Sequence, residues 1–465
     1  MESKKMRKEK DSLGELEVPE GAYYGVQTAR AVANFPISGL RAHPTFIQAT
    51  AMVKWAGAEA NMRLKKLDLK IGKIIQKAAE EVIAGKWNDQ FVVDVFQAGA
   101  GTSHNMNTNE VIANRAIEIL GGKRGEYKLV HPNDHVNMSQ STNDVFPTAM
   151  RVAALLTLQK LDPVLSRLEK ALSVKAKAFD DVIKSGRTHL QDAVPVRLGQ
   201  EFSGYARAIT RARKRIQAAS EGLRELGIGG SAAGTGINTH PEYKKKMVAA
   251  LKKISGLDLA PSNNLFERMQ SMADFVEISG ALRELAVELI RIANDLRLLS
   301  SGPRTGFAEI VLPPVQPGSS IMPGKVNPVM AEVTNMVCFH VIGNDLTITM
   351  AAQAGQMELN VMMPVINFNL LQSIEILTRD IDLFTERCVK GITVNRARCR
   401  EYAEKSVGLA TILNPSIGYE AAAQVAKEST ATGKSLREII IEKGILSAKE
   451  VDQILDPTKM TEPSL

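Results

Sequence analysis

Between Phe275 and Leu299, apolar side chains stand at Phe275, Ile278, Leu282, Leu285, Leu289, Ile292, Leu296 and Leu299. The alternating steps of three and four place one apolar stripe along a single helix. The stretch SSGPR then stops it. Extended back towards Asn264, the helix would be roughly 50 Å long at 1.5 Å per residue, more than a compact domain usually needs. A seam of that length requires partners. Leu165, Leu168, Leu172, Ala176, Phe179 and Ile183 form a second stripe, and Ile366, Leu370, Ile374, Leu377, Ile381, Phe384 and Cys388 a third. Several such stripes predict a bundle of near-parallel helices, closed within one chain or shared between subunits. Their length points to a homo-oligomer.

Composition fits that reading. The chain has 465 residues, 44% hydrophobic and 23% charged, as in an average soluble protein, which excludes general disorder and membrane residence. Aromatics are few at 5% while Met numbers 18, favouring helices packed through Leu, Ile, Ala and Met over a β-sandwich. Beyond residue 400 the elements shorten. Ser435 with Glu438 and Ser447 with Glu450 each read as a capping box, and Gly444 ends the helix between them. Strand signals are weak throughout, so the fold class is mainly α.

The net charge of +7 suits either an anionic partner or a merely soluble surface. Arg207, Arg211 and Arg215 share one helical face, but no interleaved aromatics or nucleic-acid module accompany them, so no nucleic acid is expected. No apolar run approaches a membrane span. Cys338, Cys388 and Cys399 form no C-x-x-C pair and are too few for a disulfide framework, which implies a reducing compartment. The lysine-rich start, MESKKMRKEKD, carries Glu9 and Asp11 and lacks an apolar core, so it fits no leader peptide. The cytoplasm is the expected location.

Polar, glycine-punctuated segments interrupt the helices: GAGTSHNMNTNE from Gly99, HPNDHVNMSQSTND from His131 and SGRTHLQDA from Ser185. Their hydroxyl and amide groups can hydrogen-bond carboxylate oxygens, although the same residues are common in turns and caps. His131 and His135 have the spacing of a helical zinc pair, but Pro132 follows the first and no third ligand lies at a familiar distance, so no metal is expected. A fourth segment, GSSIMPGKVNPV from Gly318 to Val329, contains a Gly-Lys pair yet is no P-loop. Five residues rather than four separate Gly318 from Gly324, and Val326 stands where a hydroxyl would hold magnesium.

Taken together, the four segments resemble the aspartase/fumarase superfamily of homotetrameric lyases, whose signature is GSSIMPGKVNP. The resemblance runs from AYYGVQTARA at Ala22 to NPSIGYEAAAQVAKE near residue 420. It implies an N-terminal lyase domain over 1–142, a central helical bundle carrying the signature loop over 143–398, and a small helical C-terminal domain over 399–465. The bundle would assemble into a tetrameric twenty-helix core, with active sites shared between three subunits and no cofactor.

The chemistry implied is removal of a proton next to one carboxylate of a small dicarboxylate, with expulsion of an amine or hydroxyl from the neighbouring carbon to give fumarate. The charge of the aci-carboxylate so formed must be stabilised where it develops. By match to the family, Ser319, His189 and Lys325 are the catalytic positions, with Ser319 as the base. A serine hydroxyl needs nearby N–H donors and positive charge before it can act so. Thr102, Ser141, Thr142, Asn143, Thr188, Ser320, Lys325 and Asn327 would bind substrate, and Glu332 would pair with His189. His131, Asn133 and Asp134 form a candidate second anion site. QSTND, GAGTS, GKVNPV and GQMELNVM resemble aspartases, whereas VHPND and GINTHPEY resemble fumarases, and Met363 departs from the glutamate that aspartases often carry. The pocket segments favour the amine as leaving group, with fumarate hydration as the alternative. The superfamily also contains lens proteins with a structural role, from which the polar loops distinguish this chain.

Overall fold

A computed structural model describes residues 5–97 and 99–463. The first element is a hairpin of β1 (Met6–Asp11) and antiparallel β2 (Gly14–Pro19). The lysine-rich start of the chain is therefore partly a strand. Helices α1 (Val26–Asn34), α2 (Pro44–Arg63), α3 (Leu69–Ile83) and α4 (Thr102–Ile119) follow. α2 is buried nearly all round, as a helix apolar on every face must be. Asp68 starts α3 by accepting the N–H groups of Lys70 and Ile71. Glu110 of α4 does the same for α1 from outside, accepting from the backbone of Gly25, Gln27 and Thr28. Burial pushes its carboxyl up to about 7, opposed by those donors.

The middle of the chain contains α5 (Thr142–Ala178), a hairpin of β3 (Ile183–Thr188) and β4 (Gln191–Arg197), α6 (Leu198–Ser220), α7 (Tyr243–Ser255), α8 (Leu265–Gln270), α9 (Ala273–Leu299), α10 (Val329–Gln353) and α11 (Met363–Arg387). Every member of the α9 stripe is buried, Leu299 being the most exposed at 7%. The helix does not reach back to Asn264. Ser271 is extended, and its hydroxyl accepts the Ala273 N–H, so a side-chain cap separates α8 from α9. The second stripe holds along α5, but the helix ends at Ala178 and Ile183 opens β3. The third lies along α11, fully buried to Cys388. The polar segment from Ser185 is the tip of the β3–β4 hairpin and not a loop between helices.

Two compact units form. One comprises the chain up to Asp162, Lys214–Ala286 and Phe339–Thr378; the other comprises Pro163–Arg213, Val287–Cys338 and the chain from Arg379. In the second, Leu409, Leu413, Val425, Ile439, Ile440 and Val451 make a small C-terminal core. Both capping boxes are present there, on helices Leu436–Glu442 and Ala448–Ile454. Among the described residues no helix is long and apolar enough to cross a membrane.

Candidate active site

The loop leading into α10 is closed by its own backbone. The Gly318 N–H donates to the Lys325 carbonyl at 2.8 Å, and Asn327 Nδ2 donates to the Gly318 carbonyl at 2.5 Å. A Cβ at position 318 would lie 2.4 Å from the Lys325 oxygen and 2.7 Å from the Asn327 nitrogen, so the crossing requires glycine. Gly324 turns the chain at φ +80°, in the left-handed region. Ser319, Ser320, Lys325 and Asn327 are thereby gathered in one closed loop. Ser319 Oγ accepts the N–H groups of Met322 at 3.0 Å and Ile321 at 3.3 Å. Two backbone donors aimed at one hydroxyl oxygen favour negative charge on it. Lys325 is exposed and forms no ion pair among the described residues.

In the first unit, Ser141, Thr142 and Asn143 open α5. Ser141 Oγ accepts the Asn143 N–H, Thr142 Oγ1 accepts from Asn105 Nδ2 at 3.0 Å, and Asn143 Nδ2 donates to the Ala232 carbonyl at 2.8 Å. A carbonyl only accepts, so the Asn143 amide is fixed with Oδ1 as its remaining acceptor. Thr102 begins α4, exposed, with its hydroxyl on the Gly99 carbonyl at 2.7 Å.

A buried polar cluster supports this helix start, and sequence reasoning missed it. Lys54 of α2, wholly buried, donates to Asn105 Oδ1 at 2.6 Å, Asn137 Oδ1 at 2.8 Å and Gln140 Oε1 at 3.1 Å. Burial pushes its ammonium down to about 7, opposed by Asp144. Asp144 is pushed up to about 6 by burial, against the N–H groups of Ser141, Ser231 and Gly229 and the charge of Lys54. Three amide oxygens face the one nitrogen, which matches the three N–H donors of an ammonium. The available signal was a lysine set within the apolar run AMVKWAGA.

Thr188 and His189 lie at the tip of the β3–β4 hairpin, both exposed. The two-residue turn is His189 and Leu190, with φ of 57° and 60° and no glycine. A non-glycine pair in the left-handed region is strained, and such strain is concentrated at functional sites. Glu332 lies in the first turn of α10. Among the described residues of this single chain no hydrogen bond or ion pair joins it to His189.

His131, Asn133 and Asp134 lie at a tight turn over Pro132–Val136, where His131 Nδ1 accepts the N–H groups of both Asn133 and Asp134. His131 and Asn133 line a cavity of about 580 Å³ with Lys10, Arg30 and Tyr127, and Asp134 does not. His135 Nδ1 is taken up by the His131 N–H at 2.8 Å. Among the described residues no cluster of three His, Cys, Asp or Glu side chains could hold a metal ion.

Residues 14–343 match the lyase family, and residues 409–462 match the family described as the fumarase C C-terminus. The chain is 53% identical to an aspartate ammonia-lyase of a Bacillus species over 99% of its own length and 98% of the relative's. It is 47% identical to the aspartate ammonia-lyase of Escherichia coli, over 99% and 97%. Among solved structures, the cobalt-bound fumarate lyase:delta crystallin of Brucella melitensis superposes with a TM-score of 0.95 at 51% identity, covering 99% of this chain and all of that one. The class II fumarase of Schistosoma mansoni gives 0.96 at 39% identity with the same coverage. A signature loop closed around a serine, on a fold shared over its whole length with these enzymes, makes the chain a member of the aspartase/fumarase family of lyases.

Proposed function

We propose that this chain is an aspartate ammonia-lyase, converting L-aspartate to fumarate and ammonia by reversible anti-elimination. The observation that carries the elimination chemistry is the pair of backbone N–H groups on Ser319 Oγ, the environment a serine alkoxide needs. Ser319 takes the proton from the carbon next to one carboxylate, and the electron pair of that C–H bond passes into the carboxylate. Lys325 and Asn327 hold the doubly charged aci-carboxylate. Its collapse forms the carbon-carbon double bond and breaks the carbon-nitrogen bond, and the ammonium leaves as neutral ammonia, needing no proton from the enzyme. Thr142, Asn143 and His189 stand around the leaving group, while Thr102, Ser141, Thr188 and Ser320 complete the pocket. Glu332 is the acid partner of His189 once the site is assembled, and His131 and Asn133 bind a second anion, with Asp134 holding the turn through its N–H to His131 Nδ1.

The active form is proposed to be a homotetramer with a twenty-helix core and sites shared between three subunits, each chain divided at 142 and 398 as the family resemblance implies. Met336, Phe339, Leu346 and Met350 on α10 are each more than half exposed, an apolar face of the kind a subunit interface covers. Three free, buried cysteines suit a cytoplasmic enzyme.

The amine as leaving group is supported by relatives at 47–53% identity that carry the aspartate ammonia-lyase name. A site arranged around an ammonium leaves acceptors unpaired around a hydroxyl, at about 1–3 kcal/mol for each buried group. Two such losses give a preference for L-aspartate over L-malate on the order of a hundredfold or more in kcat/KM. Steady-state rates with both substrates on one preparation test this. Malate dehydration at equal or greater kcat/KM, with no ammonia from aspartate, would move the chain to the fumarate hydratases. No fumarate absorbance from either substrate would leave it a structural member of the family.

The loop makes its own prediction. Gly318→Ala pushes the Lys325 and Asn327 backbone away from position 318, and a displacement near 1 Å costs about a hundredfold in kcat/KM. The loop lies outside the helical core, so the far-ultraviolet circular dichroism and melting midpoint stay as in the parent. A variant with the parent's rate would show that loop closure is dispensable.

A further inference from the structure

The hairpin carrying Thr188 and His189 contributes two of four charged side chains, clustered together, for which the proposed reaction has no use. The side chain of Lys184 is 1% exposed, with Nζ 2.9 Å from Glu201 Oε1 and 3.5 Å from Glu309 Oε2. It also donates to the Ser185 carbonyl at 3.0 Å. Arg187 Nη1 donates to the same Glu309 Oε2 at 2.9 Å, and its guanidinium lies 4.2 Å from the centroid of the Phe307 ring. Glu309 is wholly buried, and the Asn395 N–H donates to its backbone carbonyl at 2.9 Å. Two cations of one strand thus converge on a single carboxylate oxygen. Glu309 Oε1 and Glu201 Oε2 are buried without a hydrogen-bond partner among the described residues.

Stability is a poor explanation for this cluster. Desolvating two acids and two bases offsets most of their attraction, and apolar side chains of like volume usually serve as well. What the ions supply is direction. Lys184 and Arg187 flank the irregularity in strand pairing between Ser185 and Arg187, where the ladder alone sets the register loosely. Arg187 directly precedes Thr188, and the turn beyond it is held in an uncommon conformation. A shift of the guanidinium therefore reaches the threonine hydroxyl and the imidazole.

We propose that Glu309 is a positioning residue that, acting through Arg187, fixes where Thr188 and His189 stand in the active site. The inference rests on the reading of those two hairpin residues as groups that contact substrate.

The test uses full-length Glu309→Gln, Arg187→Gln, the double variant and Thr188→Ala, each assayed with L-aspartate at a temperature where circular dichroism shows every variant folded. Glu309→Gln keeps the shape and removes the charge. Each of the two single changes is expected to lower kcat/KM by about 10–100-fold, as a misplaced contact group does. The double variant should fall no more than about threefold below the worse single, because both changes break one path. Independent, multiplicative losses, or a Glu309→Gln rate within about twofold of the parent, would overturn the proposal. If Glu309→Gln yields no folded protein, Arg187→Gln decides alone: a parental rate overturns the proposal and a loss of that size supports it. Thr188→Ala separates the two levels. An undiminished rate there removes the reading of the hairpin and the inference with it, whereas a reduced rate beside an undiminished Glu309→Gln removes the inference alone.

Discussion

Ser319→Ala yields a folded protein that converts L-aspartate to fumarate at least about a thousandfold more slowly, within the range that loss of a positioned general base produces. The substitution removes the one atom at which the Ile321 and Met322 N–H groups converge. The loop keeps its shape, because its closing bonds run between Gly318, Lys325 and Asn327 and involve no atom of the serine side chain. Alanine therefore removes the proposed base together with the acceptor of the Ile321 and Met322 N–H groups, while the bonds that close the loop remain. Ser319 is half-buried in a loop whose neighbours Ile321, Met322 and Val326 are exposed, so the helical core contributes its stability undisturbed. Initial rates from fumarate absorbance, with melting followed by circular dichroism, give both numbers. A variant retaining near-parental turnover would remove Ser319 from the base position, and one that melts early would assign it a structural duty instead.

Mixing two inactive proteins restores activity. In the proposed homotetramer, Ser319→Ala and Thr188→Ala are each expected to disable every site of their own assembly. If the two residues reach a given site from different chains, random exchange leaves about a quarter of sites with neither lesion. Mixed tetramers should then recover roughly that fraction of the parental rate, more than a hundredfold above the Ser319→Ala parent. The motive lies in the compact unit that holds both mutated positions. Thr102, Ser141, Thr142 and Asn143 belong to one compact unit, and Thr188, His189, Ser319, Lys325 and Asn327 to the other. Within the second unit no hydrogen bond joins the hairpin tip to the signature loop or His189 to Glu332 among the described residues. Exchange is first established by mass, using chains of distinguishable length. Fully exchanged tetramers without activity would mean that one chain supplies both residues.

Much of this protein is local in origin and therefore legible in its sequence. The α9 and α11 stripes are buried as their spacing requires, since a helix sets which side chains share a face within two turns. The capping boxes at Ser435 and Ser447 form because cap and acceptor are three residues apart. Gly318 and Gly324 mark a shaped loop for the same reason: a backbone crossing and a left-handed turn are conditions on neighbouring residues.

Other features depended on segments far apart in the chain. The hairpin around His189 and Leu190 carries none of the usual glycine turn chemistry, so strand pairing from Ile183 to Arg197 had to impose it. Lys54, Asn105, Asn137 and Gln140 come from three separate stretches, and Lys184, Arg187, Glu201 and Glu309 span more than a hundred positions. Local spacing decides which face of a helix is apolar. Which buried charge meets which acceptor is decided when the helices pack, because burial makes every unpaired polar group costly and only the assembled fold brings its partner within reach.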